Sequence, residues 1–326
     1  MTIKLSLAVG DYDRSMPLIR GDVKIKGVDL IPIVTSSPER HKRMLKYEEF
    51  DICELSLSSY IIAYDQNKDY LAIPVFPHRR FRHSYVFVKA DSAIKTTDDL
   101  KGGKKIGVRR IQNTAGLWMR GILDQFYGVK RDEVLWVSED EEGLEDEEGL
   151  GKKLNKQLRV ERIPEGETLE QHLLDGRLDA VIYPEELESL NKPGGTSRLF
   201  KDYMTEEQNY FKATGICPLM HAMVIHKRTL SQYPWLANEV LKAFRQAKKQ
   251  ALRYLEDQRK SSLIWAGGYI EREKELFGGD AWPYNLTDNR KSLEAMIAYL
   301  YADGFISKSP KIEDLFVPST FSFDQE

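Results

Sequence analysis

Residues 73–88, Ile-Pro-Val-Phe-Pro-His-Arg-Arg-Phe-Arg-His-Ser-Tyr-Val-Phe-Val, place a basic cluster between two apolar runs. Each run predicts a buried β-strand, because short apolar stretches rich in β-branched and aromatic residues are typical of one. The cluster lacks the lysine and glutamate that usually pad a solvated basic face. Arginine grips carboxylates through two parallel hydrogen bonds, and histidine can move a proton near neutral pH. The segment therefore predicts a pocket for an acidic small molecule that gains or loses a proton there.

Outward from this segment, strands and helices alternate in both directions. Strands are predicted at 3–9, 28–34, 50–57, 105–109, 134–137, 180–183 and 217–226, with helices between most of them. This alternation of strands and helices is typical of an open α/β sheet. A second alternation of strands and helices begins at Lys89, and we expect the chain to cross back into the first α/β unit near Gly215. The sequence therefore predicts two lobes. We expect a first lobe of residues 1–88 plus 216–326, and a second lobe of 89–215 with an acidic insertion at 139–151.

Ligands of open α/β folds bind where strand carboxyl ends and helix amino ends converge. In a two-lobed chain, we expect these ends to face a cleft between the lobes. The residues that the pattern places near that cleft are Asp13, Ser56, Ser58, Ser59, Arg79, Arg82, His83, Thr114 and His221.

Composition restricts the class of partner. The chain has 326 residues and a net charge of −3. Residues 139–148 carry eight acidic residues and no basic one, so the net charge of the remaining residues is −3 + 8 = +5. This excess of positive charge is compatible with an anionic small-molecule ligand, but it is too small to indicate a nucleic-acid-binding surface. The acidic stretch is most simply a solvated insertion, although a docking element or a metal-binding loop stays open.

We expect neither a secretory leader nor a membrane span, because residues 1–10 lack a basic segment followed by a long apolar one and no apolar run reaches about 18 residues. Two cysteines form no disulfide framework, which fits a reducing compartment. We expect a cytoplasmic protein. The C-terminal helical segments carry Trp265, Tyr269 and Trp282, which could bury a subunit interface or belong to the core. We expect a homo-oligomer.

Several segments together resemble the 4,5-dihydroxyphthalate decarboxylase family. They are Gly-Asp-Tyr-Asp-Arg at 10–14, Phe-Asp-Ile-Cys-Glu-Leu-Ser-Leu-Ser-Ser-Tyr at 50–60, Ile-Pro-Val-Phe-Pro at 73–77 with Arg-His-Ser at 82–84, Gly-Ile-Cys-Pro-Leu-Met-His at 215–221, and Trp-Pro-Tyr at 282–284 with Asn-Arg at 289–290. The resemblance covers nearly the whole chain. It implies a periplasmic-binding-protein-like type II fold that removes one carboxylate from 4,5-dihydroxyphthalate, giving protocatechuate, as part of phthalate degradation.

Such a decarboxylation needs a carboxylate anchor and an acid aimed at the ring carbon. We expect Arg79 and Arg82 to grip carboxylates, with a structural ion pair as the alternative. His83 is the first candidate for the general acid and His221 the second. Glu54 could orient His83, accept a phenol proton, or pair structurally with Arg82.

The other candidates have weaker signals. Ser56, Ser58 and Ser59 could offer hydroxyls and helix amides to a carboxylate, or simply cap a helix, and Thr114 has a similar place. Asp13 could bind a phenol or pair with Arg14. His41 and His172 lie on charged helices, where we expect surface residues.

We expect no cofactor. The chain has no closely spaced metal-binding motif, although His83, His221 and Glu54 could form a histidine-histidine-carboxylate set for a divalent metal ion. Two other readings remain. The chain could bind an aromatic acid without turning it over, or carry out another reaction on the same fold, like enzymes that process menaquinone precursors.

Overall fold

The computed structural model describes residues 2–139 and 158–325. Backbone contacts divide the chain into two compact units with one β-sheet each. Unit 1 comprises Met1–Arg79, His221–Lys291 and Pro310–Glu326, and unit 2 comprises Arg80–Met220 and Ser292–Ser309. The lobe bounds expected from the sequence stay a prediction. The predicted acidic insertion, except Glu139, lies outside the described residues.

Eleven strands are found in the described part of the chain. They are β1 (Ile3–Val9), β2 (Val28–Val34), β3 (Ile52–Ser56), β4 (Tyr70–Arg79), β5 (Val86–Lys89), β6 (Lys105–Val108), β7 (Leu135–Ser138), β8 (Arg159–Arg162), β9 (Ala180–Ile182), β10 (Thr196–Arg198) and β11 (Leu219–His226).

Ten α-helices connect or follow these strands in the same described residues. They are α1 (Met16–Ile19), α2 (Ser37–Tyr47), α3 (Leu57–Asp65), α4 (Thr114–Gln125), α5 (Leu169–Leu174), α6 (Tyr203–Thr214), α7 (Lys227–Gln232), α8 (Leu236–Glu256), α9 (Ala266–Phe277) and α10 (Arg290–Ala302). Short 3₁₀ turns occupy His83–Tyr85, Thr97–Leu100, Ile312–Leu315 and Pro318–Gln325.

The sheet of unit 1 has the strand order β2-β1-β3-β11-β4. β1 pairs in parallel with β2 and β3, whereas β11 runs antiparallel to β3. Its core buries alternate residues of the strands against the apolar face of α8, where Val240, Phe244 and Ala247 recur at helical spacing. The antiparallel register sets His221 opposite Ser56 and Met223 opposite Glu54, which brings a histidine and an acid onto neighbouring strands.

The sheet of unit 2 has the strand order β10-β5-β9-β6-β7-β8. β6 pairs in parallel with β7 and β9, and β5 runs antiparallel to β9 and β10. The buried Arg120 of α4 donates to Asp303, the residue that follows α10, with Nε and the carboxylate 2.7 Å apart. Arg131 donates to the other oxygen of Asp303. These ion pairs hold residues 292–309 against the rest of unit 2. The contact joins residues far apart in the chain, so no local sequence pattern predicts it.

No helix among the described residues is both long enough and apolar enough to cross a membrane. The two cysteines, Cys53 and Cys217, are free thiols buried in the interior.

Candidate functional site

Glu54 is a fully buried acid in the middle of β3, surrounded by hydrogen-bond donors. Its Oε1 accepts from the Tyr12 hydroxyl at 2.8 Å and lies 2.5 Å from His221 Nδ1. Its Oε2 accepts from the Gly10 backbone N–H at 2.8 Å and from Arg40 Nη2 at 2.9 Å. Burial alone would raise the pKa of Glu54, but the positive charges of His221 and Arg40 and these hydrogen bonds hold it well below its usual range. The side chain is therefore a carboxylate at neutral pH.

Arg40 is the arginine partner of Glu54. Its guanidinium is fully buried and also donates to the backbone oxygens of Thr35, at 2.6 Å, and Glu54, at 3.3 Å. The sequence interpretation did not single it out, because its neighbours on α2 are charged. The available signal was helical spacing, since Arg40 lies one turn before Met44, which is also buried.

Two more histidine rings contact His221. The His41 and His78 ring centroids lie 4.9 Å and 4.8 Å from that of His221, both edge-on. His41 is buried, so the expectation of a surface residue was wrong; α2 turns this side chain inward. Burial, followed by the nearby charge of His221, lowers the pKa of His41 well below its usual range. We call Tyr12, Arg40, His41, Glu54, His78 and His221 the Glu54 cluster.

The proton positions in this cluster follow from its partners. An ionised carboxylate only accepts hydrogen bonds, so His221 Nδ1 must carry the hydrogen shared with Glu54. The second ring nitrogen, Nε2, is then the atom that can exchange a proton with a bound molecule. Burial and the adjacent Glu54 charge raise the pKa of Tyr12, so its phenol stays protonated and donates. The Glu54 cluster can thus hold one imidazole in a fixed orientation.

Asp13 and Arg14 lie beside a cavity of unit 1. Arg14 Nη1 is 2.9 Å from Asp13 Oδ1, and its guanidinium lies 3.9 Å above the Trp282 ring. Both residues and Trp282 line a cavity of about 180 Å³ between α8 and α9, with Lys248 at its wall. Of the two uses that the sequence left open for Asp13, the ion pair with Arg14 is observed; phenol binding stays a prediction.

The serine segment does cap a helix. Ser56 precedes α3, and its Oγ accepts from the Ser59 backbone N–H at 3.4 Å and lies 3.2 Å from Ser58 Oγ. Thr114 is the first residue of α4, where the preceding Asn113 caps the helix. All four predicted ligand-binding hydroxyls are buried, and their contact with a substrate stays a prediction.

Arg82, in unit 2, has an unusual set of partners. Its guanidinium is buried and donates to the Pro184 carbonyl at 3.1 Å and to Met220 Sδ at 3.1 and 3.3 Å. Within the described ranges it forms no ion pair with an acid. Burial, and then the like charge of Arg80, lower the pKa of Arg82 to about 10, so it remains charged at neutral pH. A buried, charged arginine without a carboxylate partner is suited to binding an anion.

His83 is also in unit 2, within a cage of aromatic rings. The centroids of Phe200, Tyr210 and Tyr127 lie 5.1, 5.6 and 5.9 Å from its ring. Its nearest carboxylate in the described chain is Glu207, 3.9 Å from Nδ1. Burial lowers the pKa of His83 to about 4 and raises that of Glu207 to about 7. His83 is therefore a neutral imidazole at neutral pH.

The remaining basic residues are distributed as follows. Arg79 ends β4 in unit 1 and is buried, with its guanidinium 5.9 Å from the Phe277 ring. Arg80 is exposed. His172 is buried and contacts Glu167, so the expectation of a surface residue was wrong for it too. Across the described residues, no group of histidine, cysteine or acidic side chains is arranged to hold a metal ion.

Comparisons with known proteins agree on the fold. The family described as "ABC transporter, phosphonate, periplasmic substrate-binding protein" matches residues 24–141. The aliphatic sulphonate binding protein SsuA of Escherichia coli aligns with a TM-score of 0.56 at 12% identity, covering 99% of this chain and 100% of that one. A sulfonate-binding protein of Methylobacillus flagellatus KT gives 0.55 at 15% identity, covering 99% and 94%. Likeness at such identities shows the fold alone, and it confirms the predicted periplasmic-binding-protein type II fold.

Two relatives are similar in sequence as well. A 4,5-dihydroxyphthalate decarboxylase of Comamonas testosteroni is 36% identical over 322 residues, which are 98% of this chain and 97% of that protein. A second, of Pseudomonas putida, is 43% identical over 183 residues, which are 56% of this chain and 70% of that protein. The first match runs essentially from end to end at 36% identity, so this chain belongs to the 4,5-dihydroxyphthalate decarboxylase family.

Proposed function

We propose that this protein is a carboxy-lyase that removes one carboxylate from an aromatic dihydroxy-dicarboxylic acid. The substrate we favour is 4,5-dihydroxyphthalate, with protocatechuate and carbon dioxide as products. The observation that carries this proposal is the buried hydrogen bond between Glu54 and His221 in a chain of this family. It supports proton transfer, which a decarboxylase needs and a binding protein does not.

The chemistry consumes one proton. A proton adds to the ring carbon that holds the carboxylate, and the hydroxyl group para to that carbon supplies electron density. The bond to the carboxylate then breaks, its electrons return to the ring, and carbon dioxide leaves. The rate depends on delivering the proton to carbon rather than to a phenolate oxygen, so the donor must be held in a fixed position.

We assign His221 as the proton donor and Glu54 as its positioning residue. Glu54 holds Nδ1, which leaves Nε2–H of the charged imidazole to protonate the ring carbon. Glu54 itself is a poor acid because its pKa lies well below the usual range. His83, the other candidate, is in its charged, doubly protonated form for only a small fraction of the time at neutral pH, because its pKa is about 4. These assignments reverse the order of preference that the sequence suggested.

We propose substrate contacts for the other predicted residues as well. In unit 1, Arg79 would anchor the retained carboxylate, the Ser56, Ser58 and Ser59 segment would donate to it, and Asp13 would accept from a phenol. In unit 2, Arg82 is suited to a carboxylate because it has no acidic partner within the described residues. Thr114 would donate from the start of α4. Each of these roles is separable by single substitution.

The second candidate is a protein that binds an aromatic acid without converting it. The match of residues 24–141 to a periplasmic substrate-binding family, and the fold shared with sulfonate-binding proteins, favour it. We also propose that the chain self-associates, as the aromatic C-terminal helices suggest.

One experiment distinguishes a decarboxylase from a protein that binds the acid without converting it. Purified protein, treated with a chelator, is incubated with 4,5-dihydroxyphthalate while carbon dioxide and protocatechuate are quantified. We expect both products in equal amounts. Saturable binding without product, before and after divalent metal ions are restored, would establish the binding protein instead. Neither binding nor product would reject this substrate.

A further inference from the structure

The cavity between α8 and α9 lies within unit 1 and has room for one aromatic ring. Its volume is about 180 Å³. An apolar cavity of about 150 Å³ is enough to take up benzene. The apolar part of its wall consists of Ala251, Leu252, Leu255, Ile270 and Trp282. Small-molecule sites usually combine such apolar walls with a few polar groups, so the polar groups of this cavity indicate which ligand fits.

One acid on the cavity wall is left without a partner. The wall carries four acids and three bases, and each base is paired with one acid. The pairs are Arg14 with Asp13, Lys248 with Asp280, and Lys274 with Glu256. The fourth acid, Glu273 of α9, forms no hydrogen bond or ion pair with another residue in the described part of the chain. A carboxylate only accepts hydrogen bonds, so a ligand matches Glu273 with a donor such as a hydroxyl group.

Lys248 supplies a donor on the same wall. It is buried, and its ammonium donates to Asp280 and to the Trp282 carbonyl, the latter at 2.7 Å. An ammonium has three N–H groups. Its third N–H has no oxygen acceptor among the described residues and can donate to a ligand. One carboxylate on the ligand would match it, whereas a second would add negative charge near Glu273, where like charges repel.

The cavity is distinct from the groups assigned to proton transfer. Neither Glu54 nor His221 lines it. Arg14 connects the two places, because its guanidinium lies 3.9 Å from the Trp282 ring and 4.4 Å from the Tyr12 ring. Tyr12 in turn donates to Glu54. A molecule in the cavity would therefore lie against this layer without touching the proton donor.

We propose that the cavity between α8 and α9 is a second ligand site, which binds a hydroxylated aromatic acid with a single carboxylate. The hydroxyl groups donate to Glu273, the carboxylate accepts from Lys248, and the ring packs against the apolar wall. Protocatechuate belongs to this class, whereas 4,5-dihydroxyphthalate has one carboxylate too many. The choice of protocatechuate as the ligand rests on the proposed function, of which it is the product. The chain would thus bind its product at a place separate from the proton donor.

The test is calorimetric titration of the full chain with protocatechuate, in the unmodified protein and in Arg82→Ala, which weakens the proposed substrate site. We expect the cavity site in both. Glu273→Ala removes the hydrogen-bond acceptor, and Ala251→Phe fills the space for the ring. Each should raise the dissociation constant of this site about tenfold or more, because a hydrogen bond to a charged group or the ring contact is lost. The matched control is Glu275→Ala, an exposed acid of α9 outside the cavity, which should bind normally.

Four outcomes would overturn the proposal. They are no binding of protocatechuate in Arg82→Ala, an unchanged dissociation constant in both cavity variants, equal weakening by Glu275→Ala, and tighter binding of benzylamine than of protocatechuate, which would identify a site for an organic cation instead. Thermal unfolding of each variant verifies that it is folded. Turnover of 4,5-dihydroxyphthalate is measured separately. Because binding of protocatechuate needs no turnover, absence of turnover would reject the proposed reaction and leave the result for the cavity unaffected.

Discussion

His221 Nδ1 lies 2.5 Å from Glu54 Oε1, and both side chains are buried in unit 1. The contact joins two antiparallel neighbours, β3 and β11, whose register is fixed by the ladder between them. Arg40 and the Gly10 amide occupy the other carboxylate oxygen, so Glu54 has a donor on each side. A buried carboxylate with this many donors stays ionised and holds its histidine in a single tautomer. This contact between Glu54 and His221 determines whether a substitution at each residue should lower the stability of the protein or its turnover.

Replacing Glu54 with glutamine should destabilise the protein strongly. The change keeps the shape but removes the charge that offsets the buried Arg40 guanidinium. Removing one partner of a buried ion pair typically costs about 3–5 kcal/mol. Urea unfolding followed by circular dichroism measures the free energy of unfolding.

Glu39→Gln is the matched control for Glu54→Gln. It alters an exposed pair with Arg43 on the same helix as Arg40, and we expect the free energy of unfolding to stay close to that of the unmodified chain. Equal urea midpoints for the unmodified chain and Glu54→Gln would show that the carboxylate does not compensate Arg40.

Replacing His221 with asparagine should remove turnover but leave substrate binding nearly intact. The asparagine amide can still donate to Glu54, so the fold is retained while the proton donor is lost. General acid catalysis contributes about 10²–10⁴-fold, and we expect kcat to fall by that factor with little change in KM. Initial rates of protocatechuate formation measure both constants.

The control for His221→Asn is His172→Asn, a histidine of unit 2 that also contacts a carboxylate. Its turnover should equal that of the unmodified protein. His83→Asn separates the two candidate donors: loss of turnover there, with activity retained in His221→Asn, would return the acid role to His83.

Replacing Arg82 with alanine should weaken binding of the dicarboxylate. Hydrogen bonds to charged groups contribute about 1.5–3 kcal/mol, so we expect the dissociation constant to rise about 10- to 100-fold. Calorimetric titration with 4,5-dihydroxyphthalate measures it. Arg80→Ala removes a neighbouring, exposed guanidinium and should bind normally. An unaltered dissociation constant in Arg82→Ala would remove Arg82 from the site.

The strands of unit 1 were predictable because their signals are local. The alternating run at 3–9 and the run at 28–34 became β1 and β2 with unchanged bounds. Glu54 could be singled out because an acid in an apolar strand must find a partner. The resemblance supplied the fold class, which the structural comparisons confirm.

The partners of these residues were not predictable from the sequence. Arg40 and His41 lie on a helix rich in charge, where only the spacing to Met44 and Leu45 marks the buried face. Glu207 comes to His83 from α6, more than a hundred residues further along the chain, and no local pattern links them. Such contacts depend on tertiary packing, which overrides local preference.

The pair of His83 and Glu207 should produce opposing pH dependences of stability. The pKa of His83 falls from 6.5 to about 4 on folding, so its contribution is present above pH 6.5 and is lost as the pH falls towards 4. The pKa of Glu207 rises from 4.5 to about 7, so its contribution is present below pH 4.5 and is lost as the pH rises through 7. The two effects largely cancel in the unmodified chain.

Glu207→Gln removes one of the two effects and should reveal the other. Its free energy of unfolding should rise between pH 4 and 6.5, by up to about 3 kcal/mol, because the unfolded histidine binds a proton that the folded one does not. His83→Gln should show the reverse slope between pH 4.5 and 7. Urea unfolding across this range measures both, and the double variant, in which neither group titrates, is the control. A Glu207→Gln profile as flat as that of the double variant would mean that His83 is protonated in the folded protein at the same pH as in the unfolded chain.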